Sequence, residues 1–179
     1  VSINVVEGQI VYDLGDSFNE LSPSDAPRSD EITYTISDGI DEVTAIVFVS
    51  VTGTNDGPVA GVVTVDQDVI ADGAAITIDV LSGASDADAS DTSETLFINN
   101  AVSASGATIT LGGAGALLTY DPVNVTEFQA LLPEQTTTDT ITYTVRDAFG
   151  AISDPATFTI TVTGTNDAPI AVADAFDAF

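Results

Sequence analysis

The sequence predicts an all-β protein built of tandem antiparallel Greek-key β-sandwich repeats, the first of them incomplete. Three observations carry that prediction. The phrase Val51-Thr52-Gly53-Thr54-Asn55-Asp56-Gly57-Pro58 returns as Val162-Thr163-Gly164-Thr165-Asn166-Asp167-Ala168-Pro169, 111 residues later. That period is the size of one module. Residues 157–163 read Thr-Phe-Thr-Ile-Thr-Val-Thr, so Phe158, Ile160 and Val162 share one face and four threonines the other, as in a half-buried strand. Short apolar runs separated by Gly, Asp and Pro then fill the period, and seven strands in about 110 residues is the content of a sandwich.

Taken in order, Val11-Tyr12-Asp13 matches Thr119-Tyr120-Asp121 at an offset of 108 residues. Ile32-Thr33-Tyr34-Thr35-Ile36 matches Ile141-Thr142-Tyr143-Thr144-Val145 at 109, with Ile, Tyr and Ile or Val expected inward. Val47, Val49 and Val51 take the inward places of Phe158, Ile160 and Val162, which turns Ile46 and Phe48 outward. The offsets drift by one or two residues because loops accept insertions and paired strands do not. Further strands are expected at 59–65, 75–80, 95–99, 107–111 and 116–120. One helical turn is expected within 124–132, placing Val125, Phe128, Ala130 and Leu131 on one side after Pro122. Asp38-Gly39 and Asp72-Gly73 read as tight turns. The tyrosines at repeat-equivalent places, Tyr12 with Tyr120 and Tyr34 with Tyr143, read as core.

This divides the chain into 1–56, the C-terminal part of one repeat; 57–167, a complete repeat; and 168–179, a linker and the start of another. Unpaired strand edges in the first part are expected to favour self-association. A start without methionine reads as a piece of something longer.

The chain has 28 acidic residues against Arg28 and Arg146, for a net charge of −26. Nucleic acid and anionic membranes are disfavoured partners. Such acidity means a solvated surface, a disordered segment or cation sites; 44% hydrophobic residues in alternation argue against disorder. Without cysteine or histidine, disulfides and the usual zinc or copper ligands are excluded, which leaves oxygen donors that suit hard cations. No apolar run is long enough for a membrane helix, and no signal peptide pattern opens the chain.

The aspartates concentrate in Ser85-Asp86-Ala87-Asp88-Ala89-Ser90-Asp91. A helix-loop-helix calcium loop does not fit, because Asp91 holds the glycine place and Phe97 the glutamate place. The glycine-rich nonapeptide repeat fails as well, since Gly112-Gly113-Ala114-Gly115 leads to Ala116 and Leu117. A cation site therefore needs donors from separated segments; the alternative is a solvated polar loop. Asn124-Val125-Thr126 fits a glycosylation acceptor but reads as a loop. Carboxylate pairs for glycoside hydrolysis would need a cleft that small sandwiches rarely supply.

From Tyr143 to Ile170 the order of strand, Arg-Asp-Ala-Phe-Gly, strand and Asn-Asp-Ala-Pro resembles the end of a cadherin repeat. The Asn-Asp-x-Pro linker and the Asp-Val-Leu…Asp-Ala-Asp segment at 79–88 resemble more closely the bacterial cadherin-like or VCBS repeats of large secreted, RTX-type surface adhesins. The resemblance covers essentially the whole chain and implies a cadherin- or immunoglobulin-like sandwich with calcium between modules. It places a complete site on Asn55, Asp56, Asp86, Asp88 and Asp147, and incomplete sites on Asp38 and on Asn166 with Asp167. The Asp-Arg-Glu triplet of the animal proteins has no clear counterpart, so Asp30, Glu31 and Glu7 are the candidates for donors from the first module. The function implied is a non-enzymatic, extracellular, calcium-stiffened extender repeat serving adhesion and biofilm formation, its partners calcium and neighbouring repeats of the same polypeptide. A carbohydrate- or protein-recognising sandwich, or an accessory repeat of a secreted enzyme, is the alternative.

Overall fold

β-Branched residues in alternation lay one apolar face along a strand, and that face must be covered by another layer. The structure, a computed structural model, describes residues 2–6, 9–169 and 171. Four strands precede the linker: β1 (Ser2–Val6), β2 (Gln9–Asp13), β3 (Arg28–Ser37) and β4 (Glu42–Val51). They form two antiparallel hairpins, β1 with β2 and β3 with β4. After the linker come β5 (Val69–Ile70), β6 (Ile76–Ile78), β7 (Phe97–Ser103), β8 (Thr108–Gly112), β9 (Leu117–Asp121), the one-turn helix α1 (Thr126–Gln129), β10 (Thr136–Arg146) and β11 (Ala156–Thr163). These seven strands make a four-stranded sheet, β5-β11-β10-β7, and a three-stranded one, β6-β9-β8. The all-β sandwich read from the alternation is the observed fold class.

The core lies between those two sheets. Ile141, Tyr143 and Val145 from β10 and Phe158, Ile160 and Val162 from β11 meet Ile78, Leu118 and Tyr120 from the opposite sheet, with Phe128 of α1 closing one side. The Tyr143 and Phe158 rings meet edge to face at 5.8 Å. Buried Asp139 accepts the Ser103 hydroxyl at 2.6 Å, the Ser105 N–H at 3.0 Å and the Tyr120 hydroxyl at 3.0 Å.

Several expectations are corrected. Residues 59–65 are not a strand; Val59 makes an isolated bridge to Ser85. Instead the segment crosses Gly83 at Gly61, where a Cβ would collide with backbone, and the Tyr143 hydroxyl donates to the Gly61 carbonyl at 2.7 Å. The strand expected at 95–99 begins two residues later, because the Thr95 and Leu96 amides bond back to Thr92. β5 was not foreseen, and it runs parallel to β11, an exception to the antiparallel pattern. Ala130 is exposed, since the helical turn ends before it; Val125 and Phe128 are buried.

In the β3–β4 hairpin the inward face fades along its length. Ile32 and Val51 are buried, Tyr34 and Val49 are half-buried, and Ile36 and Val47 are 63% and 40% exposed. The sequence placed both of the last two inward; among the described residues no second layer covers that end of β3 and β4. Tyr12 is half-buried and held by its hydroxyl, which donates to Asp30 at 2.7 Å.

Candidate metal centre

The linker Thr52-Gly53-Thr54-Asn55-Asp56 is anchored on both sides within a few residues. Gly53 lies against the backbone of Leu21 and Ser22, where a Cβ would collide with the Leu21 carbonyl oxygen. Only glycine permits that approach, so the linker is fastened to the first module there. Two residues on, the Asn55 side-chain amide donates to Asp147 Oδ2 at 2.8 Å and to the Asp56 carbonyl at 2.6 Å. The Asp56 N–H donates to Asp88 Oδ2 at 2.9 Å. Thr54 alone separates the two anchorages.

Each aspartate is aimed by its own turn. Asp147 follows β10, and its Oδ1 accepts the N–H groups of Gly150 at 2.5 Å and Ala151 at 2.9 Å, which cap the bend towards β11. Asp86 Oδ1 accepts the Asp88 N–H at 3.0 Å, an Asx turn that directs the next carboxylate inward. The Asp91 N–H bonds to the Asp88 carbonyl at 3.0 Å, folding a third carboxylate onto the same loop. Asp88, Asp91 and Asp147 are buried and Asp86 is half-buried.

These contacts leave a group of oxygens without donors. Asn55 Oδ1, Asp86 Oδ2, Asp88 Oδ1 and Asp91 Oδ2 are buried and accept no hydrogen bond. Burial raises the pKa of Asp86, and the charges of Asp91, Asp88 and Asp147 add to it against the hydrogen bond from the Asp88 amide. Asp88 is raised for the same first reason, with Asp56, Asp91 and Asp147 adding repulsion and the Asp56 amide opposing it. Among the described residues no group of three or more acidic side chains is arranged so that it could hold a metal ion. Oxygen-only donors of this kind fit a hard cation such as calcium, which takes six to eight oxygens at roughly 2.3–2.6 Å.

Asp91 is the member that sequence reading left out. Its signal was its place three residues after Asp88, the spacing at which a turn returns a side chain to the same loop. From the first module, Asp30 is committed to Tyr12 and to the Glu31 amide, Glu31 is exposed on β3, and Glu7 lies outside the described residues. The first-module group that does meet the aspartate loop is the Glu20 carbonyl, which accepts the Ala89 N–H at 3.0 Å. The Glu20 carboxylate itself pairs with Arg28 at 2.7 Å.

The other candidate residues stand apart. Asp38 occupies the same place in the β3–β4 turn that Asp147 has after β10, and it is exposed. The amides of Asp41 and Ile40 hold its pKa below the usual carboxylate range. Asn166 and Asp167 are exposed; the Asn166 amide donates to the Asp167 carbonyl, as Asn55 does to Asp56, and Thr165 bonds Asp72.

The raised carboxylates set a sign for pH dependence. A group with a higher pKa folded than unfolded binds more protons in the folded state, so Asp86 and Asp88 cost stability as pH rises through their raised values. In chelator, their contribution is expected to strengthen as pH falls from 7 towards the ordinary carboxylate range, and to level off below it. Melting curves of the chain and of an Asp86→Asn, Asp88→Asn variant measure it as the difference; identical pH profiles would refute the assignment.

Among the described residues no helix is long and apolar enough to cross a membrane. Compared with the curated proteins, the chain matches none. A family model described as bacterial Ig domain matches residues 55–163, more than half of the chain and the whole of the sandwich from Asn55 to the end of β11. Domains of that kind are typically non-catalytic repeat modules, usually extracellular or surface-exposed. With its two-sheet architecture and this match, the chain belongs to the bacterial Ig domain family.

Proposed function

We propose that this chain is a calcium-binding extender repeat of a large bacterial surface adhesin, one of a series of sandwiches that hold an adhesive end away from the cell and serve attachment and biofilm formation. The observation that carries the reading is the set of four buried oxygens without donors, on Asn55, Asp86, Asp88 and Asp91, in a chain that has no lysine or histidine to neutralise them. Buried acceptors are normally satisfied, so carboxylates left this way call for a proton, a water or a cation, and their number together favours the cation. The resemblance of the linker and the Asp-x-Asp segment to cadherin-like and VCBS repeats supports the same reading.

Bound there, calcium supplies positive charge and open positions for oxygen. The chain's own residues do the rest. Gly53 fixes the linker to the first module, Asn55 and Asp56 fix it to Asp147 and Asp88, and the Ala89 amide clasps the Glu20 carbonyl across the junction. Neutralising the aspartates removes the repulsion that works against these contacts, so the junction stiffens. Asp38, and Asn166 with Asp167, are the corresponding donors for further junctions. Extracellular modules of this type bind calcium at roughly 10⁻⁴–10⁻³ M.

Calorimetric titration is expected to show binding in that range, lost in Asp86→Ala and Asp88→Ala. Small-angle scattering should show a narrower range of particle dimensions with calcium than with chelator. Heat-free titrations, or scattering curves that superimpose, would sink the proposal.

A further inference from the structure

The chain contains three Asp-Gly steps, Asp38-Gly39, Asp56-Gly57 and Asp72-Gly73. A glycine after an aspartate leaves the carboxyl carbon of that aspartate open to its own chain, because no Cβ screens the next peptide nitrogen. Whether the nitrogen reacts depends on what holds it and what holds the carboxyl, and the three steps differ in both.

At the first step Asp38 Oδ1 accepts the N–H groups of Ile40 and Asp41, both at 2.9 Å, and the Gly39 N–H donates to the Ser37 hydroxyl at 3.1 Å. At the third, the Asp72 carboxylate accepts the Thr165 hydroxyl, and the Gly73 N–H donates to the Ile70 carbonyl at 2.9 Å. In the linker neither restraint is present. The Asp56 main chain is held, its N–H by Asp88 and its carbonyl by Asn55. Yet among the described residues its carboxylate accepts no hydrogen bond and the Gly57 N–H donates none. Gly57 is exposed, and a Cβ there would meet only that of Ala151, at 3.7 Å. Asp56 borders a cavity of about 140 Å³ with Leu14, Phe18 and Thr54, which gives its side chain room to turn. In the second copy of the linker phrase the glycine is replaced by Ala168.

We propose that Asp56-Gly57 is a covalent modification site, at which the linker rearranges spontaneously to isoaspartate. The Gly57 nitrogen attacks Asp56 Cγ. The N–Cγ bond forms, and one carboxyl oxygen leaves as water with the protons of the nitrogen and the carboxyl, which closes a succinimide ring. Water then opens the ring. Addition at Cγ restores aspartate, whereas addition at the Asp56 main-chain carbonyl carbon breaks its bond to the Gly57 nitrogen and leaves the chain running through Cβ and Cγ. One water leaves and one enters, and nothing is oxidised or reduced. The product has the same mass, an extra methylene in the backbone and its free carboxylate on Cα. That insertion falls between the Asp56 N–H bond to Asp88 and the paired Val59 and Ser85, whose amides exchange bonds at 2.7 and 3.0 Å. It shifts the register between the two attachments that fasten the linker to the second module.

The full chain is aged at neutral pH in chelator, so that the calcium reading plays no part, and its peptides are mapped by mass spectrometry with fragmentation that separates isoaspartate from aspartate. A hydrogen bond on the reacting amide must open first, so isoaspartate is expected to form at residue 56 about fivefold or more faster than at 38 or 72. In denaturant, where none of the three steps is held, the rates should converge. Gly57→Ala should slow the reaction at 56 several-fold and leave 38 and 72 as they were. Absence of isoaspartate at 56, or rates at 38 and 72 equal to it in the folded chain, overturns the proposal. A lead for residue 56 that persists unchanged in denaturant also overturns it, by assigning the reactivity to the local sequence before Pro58 and not to the folded linker.

Discussion

Asp88→Asn is expected to raise the melting temperature of the ion-free chain and to abolish most of the rise that calcium produces. Both signs follow from one geometry. Asp88 Oδ2 accepts the Asp56 N–H, a bond that an asparagine carbonyl can keep, while Oδ1 is buried without a donor and faces the field of Asp56, Asp91 and Asp147. Replacing that second oxygen by an amide removes a desolvated charge and offers N–H donors to neighbouring carboxylates. In calcium the same change removes a charged ligand. At a calcium concentration 100 times the dissociation constant, a single site stabilises the native chain by about 2.7 kcal/mol. For a chain of this size that is a rise on the order of 5–10 °C, most of which the variant should lose. Scanning calorimetry in chelator and in calcium reads both effects. A variant that melts lower than the parent in chelator would show that Asp88 is held by contacts within the chain, with no cation needed.

Asp139→Ala is expected to cost the second module about 3 kcal/mol or more, whereas Asp30→Ala should leave the melting transition of the chain nearly where it was. The two residues occupy equivalent places in the repeat. Asp139 is wholly buried, and its loss strands two hydroxyls and an amide, from Ser103, Tyr120 and Ser105. Each orphaned buried donor costs roughly 1–3 kcal/mol. Asp30 holds Tyr12 on the uncovered hairpin, where water replaces the lost bond. Denaturant unfolding of both variants makes the comparison. Equal losses would mean that the β3–β4 hairpin is buried to the same depth as the β10–β11 hairpin.

The fold was largely legible because period-two alternation and turn residues are local signals. The segment 157–163, with Phe158, Ile160 and Val162 inward, lies wholly within β11, and Ile141, Tyr143 and Val145 are buried together. What alternation could not report was which strand has a cover. Ile36 and Val47 carry the same pattern as Val145 and Phe158 and are exposed, since burial depends on a layer contributed from elsewhere in the chain. The run at 59–65 has strand-like composition, yet it is held by a glycine crossing and a tyrosine hydroxyl, both long-range contacts.

For the site, it was the resemblance to cadherin-like repeats that named Asn55, Asp56, Asp86, Asp88 and Asp147, and the clustering of loops at one end of a sandwich made their approach physically reasonable. The composition alone determined the chemistry available, oxygen donors without cysteine, histidine or lysine. Only the tertiary structure decided that Asp91 turns back into the same cluster, that Asp30 serves a tyrosine instead, and that Asp38, Asn166 and Asp167 stand in the open. The reason is physical: residue type fixes which atoms can donate, but the loss of water around an oxygen, and with it the need for a partner, is a property of everything packed around it.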